Sequence, residues 1–447
     1  MPASRTSPRV LLVGPYERDN LGDLLFLLVT EPYLEGADVT AAAPFASDMR
    51  PLLGREIPAY GPLLERERFD VIWSVGGQVG GVDLRKAYRM SATPSDHAAF
   101  LRSSRADQDA LLHAVAGPIA AAAPYLPAPT RHDRNAGAVT VANSVGLASV
   151  LRAGPGRQAH LLATLRGQTI TAVRDRQSSR LLKRHGIGHR LAPDAVHAIG
   201  LHRPAPPRTD DVAVFQVSRS VLGELGPRRV ADALASSTAL DGLRLALLPA
   251  GTATGHDGVD ELHALARRLR RRAPRLGAHV VETRQPLELV DRIATARVVV
   301  GSSLHVRIIA SAYGVPRVSL ARPKVSGYAR TWDPAMPHDV APAALDRAIA
   351  QALHLGRAPE ARRHAAELAE RADAHLRRIA ARALRTARQD TPAERAARAD
   401  ERRRQEQAAR TEQLLRQEAE LAALRREPAL SPLRRAAGRA RRAAALR

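Results

Sequence analysis

Hydrophobic positions along this chain come in short unbroken runs rich in Val, Ile and Leu. Ten such runs predict strands, at residues 10–13, 39–43, 71–75, 138–142, 169–173, 212–217, 243–248, 279–282, 298–300 and 317–320. Their apolarity is continuous rather than alternating, the pattern of strands covered on both faces in a parallel sheet. Between them, amphipathic stretches such as 178–185, 259–272 and 304–313 predict helices. Strand and helix alternate throughout, which predicts an α/β doubly wound architecture. The segment HRPAPPRTDD, residues 202–211, reads as a stiff Pro-rich linker. It divides the chain into two expected Rossmann-like lobes, 8–203 and 210–340. Ligands of such sheets bind beyond the carboxyl ends of the strands, so the cleft between the lobes is the expected site.

Beyond residue 342 strand signals stop and Ala, Arg, Glu and Leu dominate. Pro392, Pro428 and Pro432 interrupt otherwise strong helix formers, and Leu414, Leu421 and Leu424 form a seam too short for a coiled coil. Residues 342–447 are therefore expected to be a basic helical extension, exposed and partly disordered. Residues 357–447 hold 24 Arg against 13 Asp and Glu, a net of +11 within a total of +23. Nearly all the basic charge is arginine; the lysines are Lys86, Lys183 and Lys324. Phosphorylated ligands, nucleic acid or an anionic membrane face would all be attracted.

The absence of cysteine excludes disulfides and thiolate metal sites. The N-terminal MPASRTSPRV lacks a signal-peptide h-region, and no run approaches 18 apolar residues, so a cytoplasmic protein is expected. Aromatic residues make up 3% of the chain and do not interleave with the basic ones, so nucleic acid is not an expected partner. HExxH, GxxxxGK[ST] and GxSxG motifs do not occur.

Five strand ends carry candidate chemistry, four of them with a plain structural alternative. In VGPYERDNLGDLLF (13–26), Asn20 suits a helix cap and Asp23 the first turn; equally, Gly14 and Gly22 permit ligand approach while Asn20 and Asp23 grip hydroxyls. In FDVIWSVGGQVGGVD (69–83), Gly76 and Gly77 free the backbone for close approach. Arg174, in TITAVRDRQ (169–177), could hold a carboxylate or phosphate bidentately, or fix local structure by pairing with Asp175 or Asp194. LLPAGTATGHDG (247–258) is a flexible loop able to close on a ligand, or an exposed loop with a stray His256. Finally, VVVGSSLHVRIIASAYGVP (298–316) passes from strand through Gly301 into a helix that Ser302 or Ser303 caps and that Gly314 and Pro316 stop. Its N-terminal turn could bind an anion beside His305 as a proton donor, or the serines could merely cap a helix with a partly buried histidine.

In this order the motifs NLGD (20–23), DVIWSVGG (70–77), AVRDRQSSRLLKRHGI (172–187), PD (193–194), VVGSSLHVRIIASAYGVPRVSL (299–320) and PKVSGY (323–328) resemble the polysaccharide pyruvyl transferase family over residues 10–330. The resemblance implies a GT-B-like fold of two Rossmann-type lobes. It implies transfer of the enolpyruvyl unit of phosphoenolpyruvate to two hydroxyls of a sugar in a cell-surface glycan or lipid-linked acceptor, forming a ketal, with no cofactor or metal. It makes His305 the general acid, with Arg174, Gly301, Ser302 and Ser303 on the donor and Asn20, Gly22, Asp23, Gly76 and Gly77 on the acceptor. The chain departs from the family pattern twice: Ser303 stands where an arginine is usual, and Gln78 where a third glycine is. Arg307, Arg322 and Lys324 are candidates for the missing charge.

Two other readings share these residues. One is a GT-B-type glycosyltransferase whose helix N-terminus holds the diphosphate of a nucleotide-sugar. The other is a non-catalytic binding module acting through its basic tail, which deletion of 357–447 should expose. The same tail could hold an enzyme at an anionic membrane face.

Overall fold

A computed structural model describes residues 7–207 and 211–426. Thirteen strands occur among them: β1 (Arg9–Val13), β2 (Asp38–Ala42), β3 (Ser47–Asp48), β4 (Glu56–Ile57), β5 (Val71–Ser74), β6 (Val139–Val145), β7 (Ile170–Val173), β8 (Arg190–Leu191), β9 (Val212–Gln216), β10 (Arg244–Leu247), β11 (His279–Val280), β12 (Val298–Gly301) and β13 (Arg317–Ser319). Every run expected from apolar patterning forms a strand. β3, β4 and β8 were not expected; each is two residues long, too short to show a period.

The strands build two parallel sheets. One has the order β2-β1-β5-β6-β7-β8, the other β11-β10-β9-β12-β13, and β3 and β4 pair antiparallel beside them. The first sheet reverses its winding between β1 and β5, the second between β9 and β12. A doubly wound sheet opens a crevice at such a switch point. Both switch points face the same cleft, because the residues following β1, β5, β9 and β12 line one cavity. The chain is thus an α/β protein of two Rossmann-like lobes in a GT-B-like arrangement.

One apolar cluster runs through both lobes. Leu24, Leu25 and Phe26 from helix Leu21–Thr30 join Ile308 and Ile309 from helix Leu304–Ala312, and both meet Leu376 and Ile379 of helix Pro359–Gln389. Two further clusters lie on the outer faces of the sheets.

The extension departs from its expected form. Helix Leu345–Arg357 buries Leu345, Ile349 and Ala352 in the second lobe. Helix Pro359–Gln389 then crosses to the first lobe, where buried His375 meets the Asn143 side chain at 3.0 Å. Helix Pro392–Arg426 follows, and its Arg402 is 4% exposed. The Arg402 guanidinium donates to the carbonyls of Ala136, Ala138 and Gly167 and to the Thr140 hydroxyl, at 2.8–2.9 Å. The helices of the extension are therefore docked, and Arg402 is buried because a guanidinium carries enough donors to satisfy a cluster of buried carbonyls, while most of the other described arginines beyond residue 356 are exposed. Exposed Leu414 and Leu415 lie further along the same helix. Pro428 and Pro432 lie outside the described residues, and Leu421 and Leu424, also weighed in the sequence, lie outside the described side chains. Among the described residues no helix is long and apolar enough to cross a membrane.

Candidate active site

The cavity between the lobes has a volume of about 390 Å³. It brings together Asn20, Asp23, Gly76, Gly77, Arg174, Ser302, Ser303 and His305 from four separate segments. Gly22 and Gly301 do not line it. Each serves a neighbour: a Cβ on Gly22 would lie 1.7 Å from His305 Nδ1, and one on Gly301 would lie 3.3 Å from Gln216 Oε1. Gly76 and Gly77 have φ of 138° and 92°, conformations that favour glycine, and a Cβ on Gly76 would meet the Phe26 ring at 2.8 Å.

His305 sits in the first turn of helix Leu304–Ala312, capped by the Ser303 hydroxyl. Its ring stands edge-on to Phe26, with centroids 5.1 Å apart. Nε2 is buried without a hydrogen-bond partner among the described residues and lies 4.0 Å from the Asp194 carboxylate. Burial, and then the charges of Arg174 and Lys324, hold the imidazole well below its ordinary range, so it is neutral in the free protein.

Asp194 is fully buried and accepts from Arg174 at 2.8 Å and from the Val196 amide at 3.1 Å. Burial pushes this carboxyl up, and the Arg174 guanidinium opposes it. Arg174 therefore pairs with Asp194 and not with Asp175, whose carboxylate caps helix Arg176–Arg184. Its Nη2 has no partner among the described residues, so the guanidinium keeps an unused donor beside the cavity after pairing with Asp194.

The helix N-terminus differs from the expected anion cradle. Gln216, at the end of β9, places Oε1 3.1 Å from the Ser302 amide and 2.8 Å from the Ser303 amide. The Ser302 hydroxyl accepts from the Ser218 amide. Gln216 Nε2 in turn donates to the Asp257 carboxylate at 2.9 and 3.0 Å. Burial pushes the Asp257 carboxyl up to about 7. Two amides proposed for a phosphate are thus already satisfied by a side chain from 86 residues upstream.

Positive charge reaches the cavity from the next segment instead. Arg322 pairs with Glu224 through Nη1 at 2.8 Å, while its Nε and Nη2 are buried without partners among the described residues. Lys324 opens into the cleft with no hydrogen bond among the described residues. Desolvation by the surrounding walls, then Arg174, push its ammonium down to about 8. Arg307 is elsewhere: it is buried against the carbonyls of Asp333, Met336 and Pro337, away from the cavity. Of the three cations considered in place of the missing arginine, Arg322 and Lys324 line the cleft.

On the facing lobe, Asn20 is doubly engaged. Its Oδ1 caps Asp23 N–H at 3.3 Å and its Nδ2 meets His256 Nδ1 at 3.0 Å. Asp23 accepts twice from Arg18, at 2.8 and 3.1 Å. The loop holding His256 is neither open nor stray. The Leu21 amide donates to the Ala250 carbonyl at 2.8 Å, and Asp19 accepts from Thr252 Oγ1 at 2.6 Å and Arg284 Nη2 at 2.7 Å. This loop clasps the two lobes together.

The segments contributing Arg174, Ser302, Ser303 and His305 all lie within one stretch of sequence that can be compared with known families. Residues 128–323 match the polysaccharide pyruvyl transferase family. No curated protein matches the chain. Among solved structures, the chain is similar to Anabaena Alr3699/HepE in complex with UDP-glucose, at 14% identity over 85% of this chain and 100% of that one, with a TM-score of 0.48. It is also similar to a putative UDP-N-acetylglucosamine 2-epimerase from Listeria monocytogenes, at 12% identity over 80% and 90%, with a TM-score of 0.47. The enzyme of that class from Neisseria meningitidis gives 10% identity over 84% and 99%, with a TM-score of 0.46. The pyruvyl transferase match covers β6 to β13 with the helix bearing His305, and ends one residue before Lys324.

Proposed function

We propose that this cleft transfers the enolpyruvyl unit of phosphoenolpyruvate to a sugar of a glycan or lipid-linked acceptor. The observation that carries this reading is the convergence of three incompletely paired cations, Arg174, Arg322 and Lys324, around His305. Phosphoenolpyruvate offers two anionic groups to such a cluster, a phosphate and a carboxylate. Because Gln216 occupies the Ser302 and Ser303 amides, the anions rest on side-chain cations rather than on those amides. Lys324 and Arg322 supply the charge that Ser303 lacks.

The neutral His305 of the free protein gains a proton when a polyanion binds nearby, since negative charge favours the imidazolium. It then protonates the methylene carbon of phosphoenolpyruvate, leaving positive character at C2. A sugar hydroxyl attacks C2, and the C–O bond to phosphate breaks. A second hydroxyl closes the ketal. The two hydroxyl protons replace the one given to carbon and the one taken by phosphate. Asp194 and Arg174 hold His305 and the donor in register, and exclusion of water between the lobes strengthens each charge interaction.

The experiment is phosphate release from phosphoenolpyruvate with a panel of glycan acceptors, read alongside thermal shifts with phosphoenolpyruvate and with nucleotide-sugars. Release that depends on an acceptor and disappears in His305→Ala supports the reading. A shift with nucleotide-sugars alone would favour the glycosyltransferase alternative.

A further inference from the structure

A second cavity of about 320 Å³ opens beside the first, and Arg18 and Met90 line both. It runs between the loop after β1, the segment following β3, the end of helix Leu84–Ser91 and the clasp loop. The scheme above makes no use of it.

Its chemistry differs from that of the main cleft. Each carboxylate has an arginine beside it: Glu17 shares Arg18 with Asp23 and lies 3.4 Å from it, Asp19 pairs with Arg284 at 2.7 Å and Asp48 with Arg50 at 2.8 Å. The groove therefore has little net charge to draw an ion. It retains unused acceptors. Glu17 is 3% exposed and its Oε2 is buried without a partner among the described residues. The hydrogen bonds of Asp19 to Thr252 and Arg284 all use Oδ2. Beside these acceptors lie Met49, Leu52, Met90 and Pro51. Paired carboxylate and guanidinium edges next to an apolar wall fit a neutral sugar ring, which has hydroxyls around its rim and an apolar face.

We infer that this groove seats a second, neutral sugar residue of the acceptor, next to the residue that reacts in the main cleft. The inference rests on the glycan-modifying reading for its reacting residue and adds the acceptor's minimum size: a disaccharide unit rather than a monosaccharide.

The test measures binding of lactose, cellobiose and maltose against their component monosaccharides by ligand-observed NMR and calorimetry, without phosphoenolpyruvate. At least one disaccharide is expected to bind tenfold or more tightly than its monosaccharides. Ala92→Trp and Leu52→Trp, each filling the groove from a different wall, should remove that advantage. Circular dichroism melting identifies which variant folds, and one folded variant suffices. The inference is overturned if no disaccharide outbinds its monosaccharides, or if a folded tryptophan variant keeps the advantage. Phosphoenolpyruvate titration separates the two readings. Disaccharide binding lost in the variants, with no phosphoenolpyruvate bound or consumed, leaves the groove standing and removes the donor. Phosphate release driven equally by monosaccharides does the reverse.

Discussion

Gly22 of the first lobe and His305 of the second are so close that a Cβ on Gly22 would lie 1.7 Å from the imidazole Nδ1. The glycine is in the first turn of helix Leu21–Thr30, and the histidine is in the first turn of helix Leu304–Ala312. The two helix starts therefore meet across the cleft only because one of them has no side chain.

Gly22→Ala follows directly. Alanine gains up to about 1 kcal/mol of helix propensity. The overlap costs about 1–3 kcal/mol, because the ring is confined by Phe26 and cannot easily turn away. The overlap wins, so a modest fall in melting temperature is expected. A larger loss is expected in turnover, since His305 is displaced; phosphate release should drop at least ~100-fold. Unchanged turnover would remove His305 from the chemistry.

If the cleft holds phosphoenolpyruvate as proposed, Lys324 gives that site a pH dependence. Its ammonium, pushed down to about 8, is charged at neutral pH and loses its proton as pH rises. Affinity of the free enzyme for phosphoenolpyruvate should therefore weaken above about pH 8. Lys324→Arg should keep binding flat to higher pH, and Lys324→Met should raise Kd at pH 7 about tenfold or more. Titration calorimetry between pH 7 and 9.5 reads both.

Buried neutral histidines set the acid limit of stability. His197 and His375 are pushed down by burial, from 6.5 to about 3 and about 4. The unfolded chain binds these protons first as pH falls, so stability is full above about pH 6.5 and declines below it. Between pH 6 and pH 4.5 each such group costs roughly 1.4 kcal/mol per pH unit at most. Urea melts at pH 7.5 and pH 5 should show the drop, and His375→Gln should lessen it.

The extension is expected to divide in two on truncation. Removing residues after Arg357 strips helix Pro359–Gln389 from the central core and should yield insoluble protein. Ending the chain at Arg410 keeps Arg402 in place and should leave melting nearly unchanged. Arg402→Ala orphans several buried acceptors and should cost about 2–4 kcal/mol. Deletion of 357–447 thus cannot separate an enzyme from a tail-driven adaptor, because it removes part of the fold.

The sequence by itself determined the two sheets. Strands such as β1, β6 and β12 are buried on both faces, and continuous apolarity in Val10–Val13 or Val298–Val300 is the direct mark of that environment. It also determined the strand-end motifs, since Asn20 caps its helix, Asp23 falls in the first turn and Ser303 caps the helix of His305. Tertiary structure decided what those motifs do. Gln216 carries no motif, yet its side chain fills the helix N-terminus where an anion was expected. In the sequence Arg307, Arg322 and Lys324 are equal candidates for the missing charge; the fold aims Arg322 and Lys324 at the cleft and buries Arg307. Arg402 looks like one more member of a solvated charge run. The difference is physical: burial patterning is local and repeats along the chain, whereas the partner of a polar group is set by whichever distant atom packing brings within 3 Å.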